Sequence, residues 1–114
     1  KKAEELGCGE VYLTSMDKDG TGQGFDLETI HRIVELTELP VIASGGVGKY
    51  EHLANGVICG GANAVSTANL FNFIEDGLNE ARLTMQSRGI DMAFWDIRLM
   101  DKLPNLVTKD DKKA

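Results

Sequence analysis

The chain has 114 residues, of which 42% are hydrophobic and 26% charged, a composition typical of one globular domain. Its formal net charge of -6 disfavours nucleic acid as a partner, because phosphate backbones are bound by clustered Lys and Arg. No apolar run is long enough to cross a membrane and the first residues include no apolar signal region, so we expect no membrane partner and a cytoplasmic protein.

The first predicted elements are the end of a helix, a strand and a long loop. Lys1 to Leu6 favours a helix that Gly7 closes, since glycine readily adopts the left-handed conformation found at helix ends. Glu10 to Thr14 contains β-forming residues and predicts a strand. Ser15 to Asp26 is polar and rich in glycine, which predicts a loop.

A helix and a second strand follow this loop. Asp26 is a suitable N-cap for a helix, and Pro40 prevents that helix from continuing. Val41 to Ala43 predicts the strand, and Ser44 to Gly48 a tight loop after it. The apolar face of the helix is predicted to contain Leu27, Ile30, Ile33, Val34 and Thr37.

The third unit is predicted in the same way. Ala62 to Ser66 supplies a short strand, and Asn69 to Phe73 has room for one helical turn. Before this strand, a helix is expected to bury Leu53, Ala54, Val57 and Ile58. After it, a helix ending at Gly89 is expected to bury Ile74, Leu78, Ala81 and Met85.

The alternation of strands and helices predicts an α/β fold with parallel strands and right-handed crossovers. We expect residues 1–89 to form part of a (β/α)8 barrel, residues 90–108 an apolar extension containing Phe94 and Trp95, and residues 109–114 a disordered tail. A full barrel of this type takes about 250 residues. Three strands leave two unpaired edges, so self-association of the chain is also expected.

The loops that follow the three strands are the candidate site, because β/α barrels bind ligands at the carboxyl ends of their strands. Gly45 and Gly46 allow the backbone to approach an anion closely, and a short helix at Asn69 could aim its first amides at the same place. A Gly-Gly pair alone can be only a turn. Its position beside a second such loop favours a phosphate site.

Other chemically interesting residues are given plainer interpretations. Cys8 and Cys59 have no metal-ligand spacing and are expected to be reduced thiols, and His31 and His52 to be solvated. Asp17-x-Asp19-Gly20 lacks the remaining ligands of a calcium loop. No metal and no cofactor is therefore expected, and the aromatic residues and methionines are interpreted as packing groups.

Three ordered motifs resemble the cyclase subunit of imidazole glycerol phosphate synthase, an enzyme of histidine biosynthesis. They span most of residues 1–89 and are much more specific together than singly. The motifs are Gly7-x-Gly9-Glu10-x-x-Leu13-Thr14-Ser15-Met16-Asp17-x-Asp19-Gly20-Thr21-x-x-Gly24-Phe25-Asp26, then Pro40-Val41-Ile42-Ala43-Ser44-Gly45-Gly46-x-Gly48, and then Gly60-Gly61-Ala62-x-Ala64.

The resemblance implies the last three units of a barrel that takes ammonia from a partner glutaminase and closes an imidazole ring, which is lyase chemistry. Its substrate is a small molecule with two phosphate groups. Thr14 and Ser44 would point into the mouth near the reacting centre, and Glu10 would belong to the ammonia gate on the opposite face. The phosphate cradle would be formed by Asp19, Gly20, Gly45, Gly46, Ala68 and Asn69.

The resemblance assigns no catalytic residue to this chain, because the family's two catalytic aspartates lie on the first and fifth strands. We therefore expect this part alone to be inactive. Asn69 and Asn72 stand where the family usually has Ser and His, and Ser66 stands where an apolar strand residue is expected. These departures keep two alternatives open: a divergent cyclase-like partner of a surface-sugar amidotransferase, and a non-catalytic, self-associating phosphate-binding module.

Overall fold

The computed structural model describes residues 1–73 and 77–93. The predicted tail of residues 109–114, most of the predicted extension of residues 90–108, including Phe94 and Trp95, and the predicted core residue Ile74 lie outside these ranges. In chain order the elements are α1 (Lys2–Glu5), β1 (Val11–Thr14), α2 (Leu27–Leu36), β2 (Val41–Ser44), α3 (Tyr50–Ile58), β3 (Ala64–Val65), a 3-10 helix (Asn69–Phe73) and α4 (Gly77–Ser87).

The three strands form one parallel sheet in the order β1-β2-β3. Thr14 pairs with Ser44, and Ile42 pairs with both Tyr12 and Ala64. The predicted α/β class with parallel strands is confirmed. The third strand is shorter than the predicted Ala62–Ser66, and at its start the amide of Ala62 donates to the carbonyl of Gly56 in α3 and not to the sheet.

Among the described residues, helices cover one face of the sheet and leave the other open. Alternate strand residues point to opposite faces. Ala43 is fully buried among the helices, in a cluster that contains Phe25, Ile30 and Leu53. On the opposite face Tyr12 is 62% exposed, within the part of the chain that the structure describes. The fold therefore has a packed helical side and an uncovered sheet side.

The helices begin and end for local reasons that agree with the sequence. The carboxylate of Asp26 accepts hydrogen bonds from the amide and the hydroxyl of Thr29, at 3.1 and 2.8 Å, and so caps α2. Gly7 and Gly89 have positive φ and follow α1 and α4. Among the described residues, no helix is both long and apolar enough to cross a membrane.

Two predicted core residues are exposed. Ile58 in α3 and Leu78 in α4 are 49% and 48% exposed, so these predictions were wrong. In α3 the buried side passes through Leu53, Ala54 and Gly56. A Cβ at Gly56 would lie 2.8 Å from the ring of Phe25, so the absence of a side chain allows this helix side to face the core and turns Ile58 outward.

Side chains fix the amino ends of the strands. The carboxamide oxygen of Asn63 accepts a hydrogen bond from the amide of Val41 at 2.9 Å, at the start of β2. The carboxylate of Glu4 accepts one from the amide of Glu38 at 2.7 Å, which joins α1 to the loop before β2. The hydrogen bond from that amide lowers the pKa of Glu4 below its ordinary value.

Candidate functional site

A cleft of about 610 Å³ lies at the carboxyl ends of the three strands. The loops after β1, β2 and β3 all contribute to it, and its volume falls in the range of small-molecule sites. Most of the residues predicted to bind the substrate lie together here. Those that line the cleft are Asp19, Gly20, Ser44, Gly45, Gly46, Ala68 and Asn69.

Two predicted residues lie elsewhere. Thr14 lines a separate small cavity with Leu13 and Asp26, and Ser44 lines both this cavity and the cleft. Glu10 is exposed and precedes β1, so it is at the opposite end of the sheet from the cleft. The predicted ammonia gate would lie at the amino ends of the strands, which is where Glu10 is found.

The loop after β1 is held by its own side chains. The hydroxyl of Thr21 donates to the carbonyl of Lys18 at 2.7 Å, and the amide of Lys18 donates to the hydroxyl of Ser15 at 3.3 Å. The amide of Asp19 donates to the carbonyl of Ser15 at 2.9 Å. These bonds place the turn that contains Asp19 beside the Gly-Gly loop.

The loop after β2 packs against that turn at backbone distance. Gly45 and Gly46 have φ values of 96° and 100°, which disfavour a side chain. A Cβ at Gly45 would lie 2.8 Å from the carbonyl oxygen of Ser15, and one at Gly46 would overlap the carbonyl of Gly24. The amide of Gly24 also donates to the carbonyl of Gly46 at 2.7 Å. The two loops therefore fit only because glycine is present.

The cleft offers uncharged donors. Within residues 1–73 and 77–93, the amides of Gly45 and Gly46 donate to no acceptor. The hydroxyl residues Ser44, Ser66 and Thr67 line the same space. Amide and hydroxyl donors converging on one region form a suitable environment for an anion.

The predicted helical turn at Asn69 is present as a 3-10 helix of five residues. So short a helix has little macrodipole, so its contribution to the cleft is limited to single backbone groups. The side-chain oxygen of Asn69 already accepts a bond from the amide group of Asn72 at 3.4 Å. That bond occupies an acceptor, so the side-chain Nδ2 and the backbone amide of Asn69 are the donors that an anion could contact.

The charge in the cleft opposes an anion. Among the described residues that line it, the only charged side chain is that of Asp19. A carboxylate repels phosphate, and no Lys or Arg of the lining compensates for it. Binding would depend on hydrogen bonds from neutral donors.

The sequence interpretation did not include Tyr12, whose hydroxyl lies 2.7 Å from that of Ser66. When Tyr12 is ionised, hydrogen bonds from Ser44 and then from Ser66 stabilise the phenolate, which lowers the pKa of Tyr12 below its ordinary value. Tyr12 is thus joined to Ser66, a residue that lines the cleft. The only hint in the sequence was the polar Ser66 in place of an apolar strand residue.

The histidines differ from each other. His31 is exposed, as predicted, with its Nε2 3.5 Å from Glu35. His52 is half-buried, and its Nδ1 accepts a hydrogen bond from the amide of Gly48 at 3.1 Å, so its interpretation as a solvated residue was wrong. Its ring fixes the end of the Gly-Gly loop. Both cysteines are free and exposed.

Comparison with known proteins identifies a family and a solved structure with a similar fold. A family model described as "Histidine biosynthesis protein" matches residues 1–75. A chain in the crystal structure of the Amycolatopsis orientalis BexX/CysO complex is 22% identical, with a TM-score of 0.59. That match covers 82% of the present chain and 41% of the other, so the present chain spans about two fifths of that structure's length. This second likeness is one of fold.

Proposed function

The chain belongs to the histidine biosynthesis protein family, and from this premise we propose that its cleft binds one phosphate group of a small-molecule substrate. The observation that carries the proposal is the pair of amides of Gly45 and Gly46, which have no acceptor among the described residues and belong to a cleft also lined by Ser66 and Thr67. Phosphate oxygens accept hydrogen bonds from such groups. Peptide amides keep this capacity at every pH at which the chain is folded.

The parent activity that we propose is that of the cyclase subunit of imidazole glycerol phosphate synthase. In this proposal the rest of the barrel supplies the catalytic carboxylates and a second phosphate site. Ser44 lies in the cleft and would face the reacting part of the substrate, with Thr14 nearby on the same sheet face. A glutaminase would dock at the opposite end, where Glu10 lies, and deliver ammonia through the barrel.

The uncharged donors of the cleft are expected to bind free inorganic phosphate with only modest affinity. A few hydrogen bonds of about 1 kcal/mol each must offset both the repulsion from Asp19 and the entropy lost on binding. We therefore expect millimolar binding of inorganic phosphate, for which the free energy is about -4 kcal/mol. Contacts from the remaining barrel would raise the affinity for the whole substrate.

Isothermal calorimetry with inorganic phosphate, at constant ionic strength set by chloride, tests the proposal. We expect saturable binding to the 114-residue chain and tighter binding of ribose 5-phosphate than of ribose. Gly46→Ala is expected to abolish binding, whereas Gly7→Ala, at the end of α1, should leave it unchanged. Equal binding of ribose and ribose 5-phosphate would contradict the proposal.

A second candidate function is that of a cyclase-like partner of a surface-sugar amidotransferase. The hydrogen bond between Tyr12 and Ser66 favours it, because it makes the open sheet face polar where the resemblance predicts an apolar strand residue. Ammonia would be the shared intermediate in both cases. Identifying the amidotransferase encoded beside the gene, and measuring which acceptor it aminates in the presence of this protein, would separate the two.

A third candidate is a self-associating module, favoured by the open face on which Tyr12 is 62% exposed. Self-association would cover this face and the unpaired edges of β1 and β3. Sedimentation of the chain at tens of micromolar would show discrete oligomers. A monomer at that concentration would refute this candidate.

A further inference from the structure

The hydroxyl of Tyr12 reaches a residue that lines the cleft, Ser66, although Tyr12 itself does not line it. Tyr12 pairs with Ile42, and Ile42 with Ala64, one row of the sheet below the row of Thr14 and Ser44. Side chains in strands lean along the strand direction. The ring of Tyr12 thus extends toward the carboxyl ends, where its hydroxyl comes within 2.7 Å of Ser66.

The donor and the acceptor of the bond between Tyr12 and Ser66 can be assigned from the chemistry of the two hydroxyls. Each carries one O–H donor and can accept two hydrogen bonds. A phenol is more acidic than an alcohol and is the stronger donor, so Tyr12 is suited to donate and Ser66 to accept. Ser66 then keeps its own O–H for another acceptor, and Ser66 lines the cleft beside Gly45 and Gly46.

We propose that Tyr12 is a positioning residue for the anion, which donates to Ser66 and so directs the hydroxyl of Ser66 toward a phosphate oxygen. The proposal rests on the proposed function of the cleft. A hydroxyl that accepts a bond is polarised and becomes a better donor, so the two bonds strengthen each other. The substrate class is a phosphate ester or inorganic phosphate, recognised through a chain of two hydroxyls.

A purely structural role for Tyr12 makes a different prediction. Tyr12 is exposed, so removing its hydroxyl leaves no buried polar group without a partner. The ring of phenylalanine would occupy the same place on the sheet. Tyr12→Phe should therefore leave the unfolding midpoint nearly unchanged while weakening the binding of phosphate.

The test is a double-mutant cycle measured by calorimetry with inorganic phosphate. We expect Tyr12→Phe to weaken binding about fivefold, the effect of one lost hydrogen bond. Ser66→Ala should weaken it at least as much, and the double variant no more than Ser66→Ala alone, because Tyr12 acts through Ser66. Tyr50→Phe is the matched control, since the hydroxyl of Tyr50 is buried with no hydrogen-bond partner among residues 1–73 and 77–93, and the residue does not line the cleft.

A second readout reports on Tyr12 itself. The chain has two tyrosines, so labelling their Cζ carbons gives two assignable NMR signals. Phosphate should move the signal of Tyr12 and not that of Tyr50, and the movement should vanish in Ser66→Ala. A Tyr12→Phe variant that binds phosphate like the wild type, or losses that simply add in the double variant, would overturn the proposal while leaving the phosphate site intact. No binding by the wild type would instead overturn the proposed function, and this inference with it.

Discussion

Gly46→Ala tests the most demanding part of the site, the contact between the loops after β1 and β2. The change adds one methyl group at a residue with a φ of 100°, against the carbonyl of Gly24. A positive φ costs an L-residue about 1–2 kcal/mol. An overpacked contact with backbone adds about 1–3 kcal/mol. The free energy of unfolding should therefore fall by about 2–5 kcal/mol, a large part of the total for a small domain.

Three other glycines separate the two causes. Gly7 has a φ of 81° and nothing within 4 Å of a built Cβ, so Gly7→Ala measures backbone conformation alone, at about 1–2 kcal/mol. Gly48 lacks a positive φ, but a Cβ added there would overlap the carbonyl of Gly22. Gly48→Ala therefore measures the cost of the steric contact alone, at about 1–3 kcal/mol. Gly9 has neither feature, and Gly9→Ala should be nearly neutral.

Urea denaturation, followed by circular dichroism, measures these free energies of unfolding. A loss of stability lowers the urea concentration at the midpoint, whereas the dependence of the free energy on urea concentration stays constant if the variant changes neither the folded nor the unfolded state. The expected order of destabilisation is Gly46, then Gly48 and Gly7, then Gly9. If Gly46→Ala costs no more than Gly7→Ala, the close approach of the two loops is refuted.

Three further predictions concern single interactions. The hydrogen bond from the amide of Thr29 lowers the pKa of Asp26 in the folded chain. The stability that the ionised Asp26 contributes is therefore present above its unfolded pKa and is lost as the pH falls through its folded pKa. Asp26→Ala should cost about 1 kcal/mol at pH 7, and Asp26→Asn should remove this acid dependence in denaturation measured at several pH values. Asn63→Ala leaves the amide of Val41 without its partner and should cost about 1–3 kcal/mol in urea denaturation, whereas Asn63→Asp, which keeps an acceptor, should cost less. Asp19→Asn removes the negative charge of the cleft and should tighten phosphate binding about two- to threefold in calorimetry, by less at high salt; weaker binding would contradict the electrostatic argument.

The order of elements could be predicted from the sequence because local signals determine it. Asp26 caps α2, Pro40 precedes β2, and Gly89 follows α4, each for a reason contained in a few neighbouring residues. The loops could be assigned to one cleft because parallel strands bring their carboxyl ends together. Most of the residues predicted to bind phosphate line one cleft for that reason, and their binding of phosphate stays a prediction.

What the sequence did not reveal depends on contacts between distant residues. Helical periodicity predicts that Ile58 is buried, but the close packing of Gly56 on Phe25 decides which side of α3 faces the core. The hydrogen bond between Tyr12 and Ser66 joins residues 54 positions apart and follows no repeating pattern. Such pairings become visible only when the register of the sheet is known.

The most direct test of the phosphate site is a titration of the 15N-labelled chain with inorganic phosphate, observed by NMR. We predict saturable shifts of the amides of Gly45 and Gly46, with one shared dissociation constant, and no shift at Gly9, which lies at the other end of the sheet. Shifts that grow without saturating, or that cluster away from the Gly-Gly loop, would contradict the account.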